Sequence, residues 1–427
     1  MNHIKDKLSI SFWIWALQDM PPGGCYHDLD RRMEELVARG YNCVYCESGA
    51  GLAFDLTGRP RGPVLVHPPY PGYSTLIRQQ FAVGEAGPCD YLARLLELFR
   101  AAKRHGVKII LTSFYYLHTY WYTDERVNDE LLTLPPHEIY HRFAQQLSWL
   151  IDALKAEDLH TQLAFAEIFN EMDGLSFVGD FGNTGHCPPE ERRRFRDDHE
   201  AALAWLQERH PDVTFSVGTY TVRPDPDLLP RNAHVWNFHC YYAWSIYECV
   251  EHAWVATGQG APETRFMRKD APPPEEVQNL RARHGYRPAK ADWDRRVWYY
   301  GNLDPDAIPE MDRLLAATLA QREADIRANV RNVVQAVADT HRKYLPGTEI
   351  VMTEGVTYCA SNALRWEENS ALYWDIVGEA AQAFARLGLR GFVSRTNSGC
   401  DEPVWDITAP QVRHINRLFQ ETAPATP

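Results

Sequence analysis

The sequence of 427 residues contains little that marks a membrane, disulfide-rich or nucleic-acid-binding protein. Its apolar run at residues 8–17 is far shorter than the roughly 20 residues that span a bilayer. Nine cysteines are an odd number, thinly spread, which argues against a disulfide framework. Acidic residues outnumber basic ones by 57 to 44, so the net charge of −13 disfavours a phosphate-binding surface. We therefore expect a globular protein with neither a nucleic-acid nor a membrane partner.

The apolar run near the N-terminus resembles an export signal only superficially. It follows Lys5 and Lys7, but Gln18 and Asp19 stand where a small-residue cleavage site would be needed. We interpret the run as a first strand. The sequence therefore predicts a cytoplasmic protein.

Short β-rich runs alternate along the chain with amphipathic helices, a pattern typical of parallel strands joined by crossover helices. No glycine-rich nucleotide-binding turn follows any of these runs. The pattern predicts an α/β fold of the (β/α)₈ TIM-barrel type, with residues 1–427 forming a single catalytic domain. The eight predicted strands are residues 8–14, 42–46, 107–112, 163–169, 213–218, 234–239, 348–353 and 390–394.

The stretch between strands six and seven is too long for a minimal barrel. Residues 246–308 are predicted to form an insertion, followed by a long helix from about Pro309 to Tyr344. The insertion has three open interpretations: a surface excursion, a lid over the barrel, or a contact through which copies of the chain form a homo-oligomer.

Two acidic residues stand at the ends of predicted strands on opposite sides of the barrel. Glu171 follows Asn170 after strand four, and Glu354 lies at the end of strand seven. The carboxyl ends of barrel strands carry the chemistry, so these carboxylates should face each other across the mouth. Glycoside hydrolysis with retention needs such a pair, about 5–5.5 Å apart: one protonates the departing oxygen and the other attacks the anomeric carbon.

Strand six ends in His239 and Tyr241, which are two residues apart and project to the same side. With these residues the chain resembles clan A of the glycoside hydrolases, most closely family 5. The resemblance runs through the strand order of nearly the whole chain. Its motifs are the Asn-Glu pair after strand four, the His-x-Tyr of strand six and the Glu of strand seven.

The resemblance implies a role for each motif residue. Glu171 would be the acid/base and Glu354 the nucleophile, with Asn170 bound to the sugar 2-hydroxyl. Tyr241 would orient the nucleophile, and His239 would support the acid/base or the sugar. His118 resembles the family's strand-three histidine, and Trp13 and Glu47 are further candidates for substrate contacts.

The chain departs from the family pattern at two strands. Family members commonly carry an arginine late in strand two, where this chain reads Val44-Tyr45-Cys46-Glu47, and Arg395 is a candidate to compensate. They also tend to carry a tryptophan at the end of strand eight, where Trp405 in the following loop is the candidate replacement. Both departures suggest a divergent subfamily.

The sequence thus predicts a retaining β-glycosidase that uses no cofactor and no metal and acts on short oligosaccharides, as an exo-acting β-mannosidase. Three alternatives remain open: an endo-acting β-glucanase or mannanase of the same clan, a barrel that binds carbohydrate without turnover, and a divalent-metal-dependent sugar isomerase. The metal site of the isomerase would draw on Glu47, Glu171, Asp173, His239 and Glu354.

Overall fold

The computed structural model describes residues 4–14, 16–78, 85–115, 120, 122–123, 125–178, 187–287, 291–357, 360–396 and 398–425. Eight parallel strands close into a barrel in which β1 pairs with β2 on one side and with β8 on the other. The strands are β1 Leu8–Phe12, β2 Cys43–Glu47, β3 Lys108–Thr112, β4 Leu163–Glu167, β5 Phe215–Thr219, β6 Val235–Cys240, β7 Glu349–Gly355 and β8 Gly391–Val393. Each overlaps one of the predicted runs, and the (β/α)₈ TIM barrel is confirmed.

Helices surround the barrel and follow most of its strands. They are α1 Leu29–Ala38, α2 Ala50–Ala53, α3 Tyr91–His105, α4 Glu125–Leu131, α5 Pro136–Ala156, α6 Pro189–Arg209, α7 Glu248–Thr257, α8 Glu275–Arg283, α9 Ala291–Gly301, α10 Ile308–Gln321, α11 Glu323–Tyr344, α12 Trp366–Asn369, α13 Ala371–Leu387 and α14 Ala409–Glu421. A small antiparallel hairpin, Val64–Val66 with Gly87–Cys89, lies between β2 and α3. No helix in the described part of the chain is long and apolar enough to cross a bilayer.

The helix ends follow local capping rules. Asp90 caps α3 by accepting a hydrogen bond from the Ala93 amide, and Gly106 ends the helix with φ +67°. Ser370 caps α13 in the same way, through the amide of Tyr373. The apolar stripes of these helices are buried against the strands, and this packing holds the strand ends in a fixed ring.

The helix predicted from about Pro309 to Tyr344 is in fact two helices. Arg322 separates α10 from α11, with φ −99° and ψ +11°. Its guanidinium donates hydrogen bonds to the Ser245 carbonyl at 2.8 Å and to the Glu248 carboxylate at 3.1 Å. These contacts join residues far apart in sequence, so the apolar periodicity on either side does not reveal the break.

Helices α7, α8 and α9 belong to the chain between β6 and β7, and α8 and α9 contact loops on the opposite side of the barrel. The Tyr70 hydroxyl, in the loop after β2, donates to the Asp294 carboxylate on α9 at 2.7 Å. Arg281 on α8 donates to the Pro69 carbonyl of the same loop, and Arg287 pairs with Glu125 on α4. In a ring of eight strands β2 lies opposite β6, so this segment joins two opposite sides of the mouth.

Candidate active site

Three side chains from different strands converge at the carboxyl end of the barrel. They are Glu171 after β4, His239 on β6 and Glu354 on β7. One carboxylate oxygen of each glutamate and one ring nitrogen of the histidine all lie within 4.8 Å of one another. All three residues are buried, with 7% or less of their surface exposed. The sequence predicted that the two carboxylates would meet across the mouth, and the structure brings them together.

The backbone at Glu171 is held in an uncommon conformation. Glu171 has φ +45°, in the left-handed region that non-glycine residues rarely adopt. The amide before it, at Asn170, donates to the Ser113 carbonyl at 2.9 Å, and the Glu171 carbonyl accepts from Gly174 at 2.7 Å. Val356, just after β7, is also left-handed with φ +74°. Strained backbone of this kind persists where surrounding contacts fix a functional side chain.

Glu354 is oriented by side chains from two other strands. The Tyr241 hydroxyl donates a short hydrogen bond to its Oε2 atom, and Asn170 Nδ2 donates to its Oε1 atom at 3.4 Å. His239 Nδ1 lies 3.7 Å from the same Oε1 atom. Both carboxylate oxygens are therefore held, which fixes the orientation of the carboxylate.

Glu171 has a different environment from Glu354. His239 Nδ1 lies 2.6 Å from Glu171 Oε1, while His239 Nε2 lies 3.1 Å from the Thr353 hydroxyl. Burial alone would lower the pKa of His239, but the charges of Glu354 and Glu171 outweigh it and raise this pKa to about 9. The histidine thus supplies a positive charge between the two carboxylates.

The electrostatics of Glu354 reflect its burial. Burial raises the pKa of its carboxyl group to about 7. The positive charge of His239 opposes this increase, whereas the negative charge of Glu171 adds to it. The ionised carboxylate is therefore destabilised relative to one in water.

Two residues that sequence reasoning gave no role lie directly beneath this cluster. The Tyr45 hydroxyl on β2 shares its one proton between two acceptors, Asn170 Oδ1 and, at 3.0 Å, Oε1 of Glu167 on β4. Tyr45 stands in the strand where the resemblance led us to expect an arginine. The inward alternation of residues along β2 and β4 is the signal that could have identified both residues.

Arg395 does not compensate for the absent arginine, contrary to our expectation. It is 1% exposed and donates to Glu368 at 2.8 Å and to Glu367 at 3.0 Å, both on α12. Arg78, from the loop after β2, pairs with Glu368 at 2.7 Å. These four residues form the ionic cluster that joins the loops after β2, β7 and β8. Glu367 and Glu368 on α12 therefore bind Arg395, which the sequence led us to expect in the role of the absent strand-two arginine.

The two tryptophans expected to form sugar platforms are both buried in protein. Trp405 stacks parallel to Tyr41 with ring centroids 6.2 Å apart, and the Arg39 guanidinium lies 4.2 Å from its ring. These partners flank the start of β2 and not its carboxyl end, so the expectation for Trp405 is wrong. Trp13 is fully buried and packs edge-on against Tyr26 at 4.9 Å. A flat face for a sugar is therefore not available on Trp13.

Glu47 and Asp173 each accept hydrogen bonds from backbone amides of the loops at the carboxyl end of the barrel. The Glu47 carboxylate accepts the amides of Gly49 and Phe114, each at 2.8 Å, and burial raises its pKa to about 7. It therefore fastens the loops after β2 and β3, and the substrate contact predicted for it is not shown. Asp173 accepts the amide of Tyr220 at 2.9 Å. The predicted His118 lies outside the described residues.

The three clustered residues do not fit a metal ion as they are arranged. Two ligands of one ion, each about 2.1 Å from it, lie roughly 3 Å or more apart. His239 Nδ1 and Glu171 Oε1 are only 2.6 Å apart, which is the distance of a charge-assisted hydrogen bond. His239 and Glu171 are thus placed as an ion pair and not as two ligands of one metal ion.

Comparison with known proteins supports the fold. No protein-family model matches the sequence, and no curated protein matches it. A candidate glycoside hydrolase from Parabacteroides distasonis has a similar structure, with TM-score 0.68 and 15% identity over 98% of this chain and 95% of that chain. A glycoside hydrolase family 5 enzyme from Prevotella bryantii gives TM-score 0.49 and 11% identity, covering 98% and 96%. The similarity to the Parabacteroides distasonis protein, at 15% identity, shows the barrel fold alone.

Proposed function

We propose that the protein is a retaining glycoside hydrolase that cleaves β-glycosidic bonds by double displacement. The observation that carries this proposal is the approach of Glu171 and Glu354, whose nearest carboxylate oxygens lie within 4.8 Å. Inverting enzymes need about 6.5–9.5 Å between carboxyl groups to admit a water molecule, whereas retaining enzymes need only about 5–5.5 Å. The spacing favours retention.

The hydrogen bonds support different roles for the two glutamates, one as nucleophile and the other as acid/base. Glu354, oriented by Tyr241 and Asn170, would attack the anomeric carbon as a carboxylate. Glu171, which contacts His239, would protonate the departing oxygen. Once Glu354 becomes an ester its charge disappears, so Glu171 can then accept a proton from the incoming water.

The segment between β6 and β7 supports a substrate of limited length. It contacts loops on the far side of the mouth through Asp294 and Arg281. The loop after β2 also reaches the loop after β7, where the Arg78 amide donates to the Ala360 carbonyl at 2.8 Å. Loops joined in this way restrict the mouth, which favours exo action on short oligosaccharides over attack within a polymer. Residues 246–308 would form one wall of the pocket and act as a lid.

The finer proposal is that the terminal sugar is a β-mannoside. It is supported by the resemblance of the Asn170-Glu171, His239-x-Tyr241 and Glu354 motifs to a family that includes exo-acting β-mannosidases. The contacts that would distinguish mannose from glucose lie at the 2-hydroxyl, which we assign to Asn170. A cytoplasmic location, where imported short fragments would be the substrates, is consistent with this choice.

A panel of nitrophenyl β-glycosides tests the reaction class and the sugar. Mannoside, glucoside, galactoside, xyloside and fucoside would be assayed with the wild-type protein and with Glu171→Ala and Glu354→Ala, each with and without a chelator. We expect hydrolysis of the mannoside, lost in both variants and unaffected by the chelator. No hydrolysis by folded wild-type protein, or loss of activity on chelation, would contradict the proposal.

Chain-length analysis separates exo from endo action. Manno- and cello-oligosaccharides labelled at the reducing end would be digested and their products sized. Exo action predicts stepwise loss of single sugars from the unlabelled end. Fragments of intermediate length at early times would show endo action instead.

A further inference from the structure

The buried carboxyl group of Glu167 has no part in the double displacement, yet it lies at the centre of the polar network beneath the mouth. Glu167 is 1% exposed. The hydroxyls of Tyr45 and Ser216 each donate to it at 3.0 Å, and Asn237 Nδ2 lies 3.2–3.3 Å from both of its oxygens. These partners come from β2, β5 and β6. Strands β2, β4 and β6 are not neighbours in the ring, so the side chains meet inside the barrel.

The neighbouring strand leaves room for this carboxyl group. Gly218 on β5 faces it, and a Cβ atom at that position would lie 2.9 Å from Glu167 Oε2. A contact this short would force the carboxyl group out of its position. The glycine therefore permits Glu167 to reach its partners.

One branch of the network leads from Glu167 to the proposed nucleophile. Burial raises the pKa of Tyr45 well above its ordinary value, so its hydroxyl keeps its proton and acts as a donor. Its one proton is shared between Glu167 Oε1 and Oδ1 of Asn170, so both oxygens face the hydroxyl as acceptors. With Oδ1 facing Tyr45, the Nδ2 group of the same amide faces Glu354 Oε1 at 3.4 Å. The Tyr45 hydroxyl thus determines which end of the Asn170 amide faces Glu354.

The other branch leads from Glu167 to His239. Asn237 presents Nδ2 to Glu167, so its Oδ1 atom accepts the Thr353 hydroxyl proton at 2.8 Å. A hydroxyl has one proton, so Thr353 must accept at its contact with His239 Nε2, 3.1 Å away. Nε2 therefore carries a hydrogen, and Nδ1 is the nitrogen that faces Glu171 at 2.6 Å.

We propose that Glu167 is a positioning residue that directs the Asn170 amide toward Glu354 and, when the His239 ring is neutral, keeps its hydrogen on Nε2. The proposal rests on the proposed glycosidase function for its kinetic consequences. Its structural part, the placement of the hydrogen on His239, holds whatever the reaction is. The two parts are therefore tested separately.

Nitrogen NMR of the full chain labelled with ¹⁵N-histidine tests the His239 branch without any substrate, with a His239→Gln sample assigning the signal. The spectra would be recorded above about pH 10, because the charged ring, with a pKa of about 9, carries a hydrogen on both nitrogens. There wild-type protein should show a protonated Nε2. In Glu167→Gln an NH₂ group replaces one of the two oxygens that accept from Asn237 Nδ2, and this favours the turned Asn237 amide, with which Thr353 donates to Nε2 instead. The Nε2 signal should then become that of an unprotonated nitrogen.

Thr353 variants keep this test falsifiable if Glu167→Gln does not fold. Thr353→Val should lose the hydrogen-bonded shift of the Nε2 proton, and Thr353→Ser should retain it. An unprotonated Nε2 in wild-type protein, or the same spectrum in folded Glu167→Gln and Thr353→Val as in wild type, would overturn the proposal. Absence of glycosidase activity would leave these spectra interpretable and would count against the proposed function alone.

A double-mutant cycle tests the Asn170 branch once a substrate is found. Tyr45→Phe should lower kcat roughly 10- to 100-fold with little change in KM, because the amide is no longer directed. In an Asn170→Ala background Tyr45→Phe should have no further effect, since the two act as a unit. Tyr41→Phe, which removes another buried hydroxyl beside β2, is the matched control and should retain wild-type kcat. Equal losses in both backgrounds, or an unchanged kcat in Tyr45→Phe, would overturn this branch.

Gly218→Ala provides an independent perturbation, because it displaces Glu167 without altering any polar group. It should lower kcat by a similar roughly 10- to 100-fold factor and change the His239 spectrum. A folded Gly218→Ala protein with both properties unchanged would contradict the assignment to Glu167.

Discussion

His239 Nδ1 lies 2.6 Å from Glu171 Oε1, which is shorter than a hydrogen bond between neutral groups usually is. The contact joins the loop after β4 to β6, whose bulge between Phe238 and His239 shifts the pairing with β7 at this point. The acid/base carboxyl group that we propose is thus held by a histidine whose own orientation is fixed through Thr353.

The charge of His239 should set the acid limb of the pH profile. Glu354 must be ionised to attack, and burial raises its pKa to about 7, so kcat/KM should fall as the pH drops through that region. His239→Gln removes the positive charge that lowers the pKa of Glu354, so the limb should move to higher pH. The measurement is the pH dependence of kcat/KM for both proteins. A limb that stays in place or moves to lower pH would contradict the electrostatic role of His239.

Azide should rescue the two glutamate variants with opposite stereochemistry. Glu354→Ala should lose about 10⁴-fold or more in kcat, and azide in the vacated space should form an α-glycosyl azide from an activated β-glycoside. Glu171→Ala, which retains the nucleophile, should give the β-glycosyl azide. Product NMR distinguishes the two anomers, and the reverse assignment would mean that the roles of the carboxylates are exchanged.

The ionic cluster of Arg78, Arg395, Glu367 and Glu368 should be sensitive to the loss of one partner. Glu368→Gln leaves the two buried guanidinium groups with one carboxylate fewer, and should lower the free energy of unfolding by about 3–5 kcal/mol. Glu379→Gln, which removes a carboxylate from the more exposed pair with Arg327, is the control and should change it by less than about 1 kcal/mol. Urea unfolding measures both. Equal decreases in the free energy of unfolding for the two variants would show that burial does not strengthen the contribution of the cluster.

The same cluster predicts how stability depends on pH. Burial alone would raise the pKa of Glu368, but the Arg78 and Arg395 charges outweigh it and lower this pKa to about 2. A carboxyl group whose pKa is depressed on folding stabilises the protein above its ordinary pKa, and the contribution is lost as the pH falls toward the folded value. The difference in unfolding free energy between wild type and Glu368→Gln should therefore be full at pH 7 and decrease between about pH 4.5 and 2. A constant difference across that range would contradict the ion pairing.

The contact between Tyr70 and Asp294 should matter for substrate binding more than for the chemical step. Asp294 on α9 accepts the hydrogen bond from the Tyr70 hydroxyl, and Asp294→Ala removes this acceptor. The variant should raise KM for short oligosaccharides roughly 10-fold, with a smaller effect on kcat. Glu275→Gln on α8, an exposed position, is the control. Steady-state kinetics on the best oligosaccharide measures the effect. A fall in kcat with unchanged KM would mean that this segment does not wall the pocket.

The barrel and its central residues could be predicted from the sequence because both follow from local patterns. Barrel strands are buried β-rich runs, and residues at their carboxyl ends must meet at the mouth. Glu171, His239 and Glu354 were identified in this way, and Tyr241 follows from its spacing of two residues from His239.

The remaining features depend on contacts between distant parts of the chain. Arg395 pairs with Glu367 and Glu368, and Trp405 packs on Arg39, partners that no local pattern reveals. The alternation along β2 and β4 predicts that Tyr45 and Glu167 point inward, but their polar partners become visible only when the ring is closed. The break at Arg322 likewise results from its contacts with Ser245 and Glu248.

Trapping of the covalent intermediate tests the central claim most directly. The wild-type protein would be incubated with an activated 2-deoxy-2-fluoro β-glycoside of the sugar identified by the nitrophenyl panel, and its peptides analysed by mass spectrometry. We predict one added glycosyl group per chain, attached to the peptide that contains Glu354. Attachment to Glu171, or turnover of the reagent with no label on either glutamate, would contradict the account.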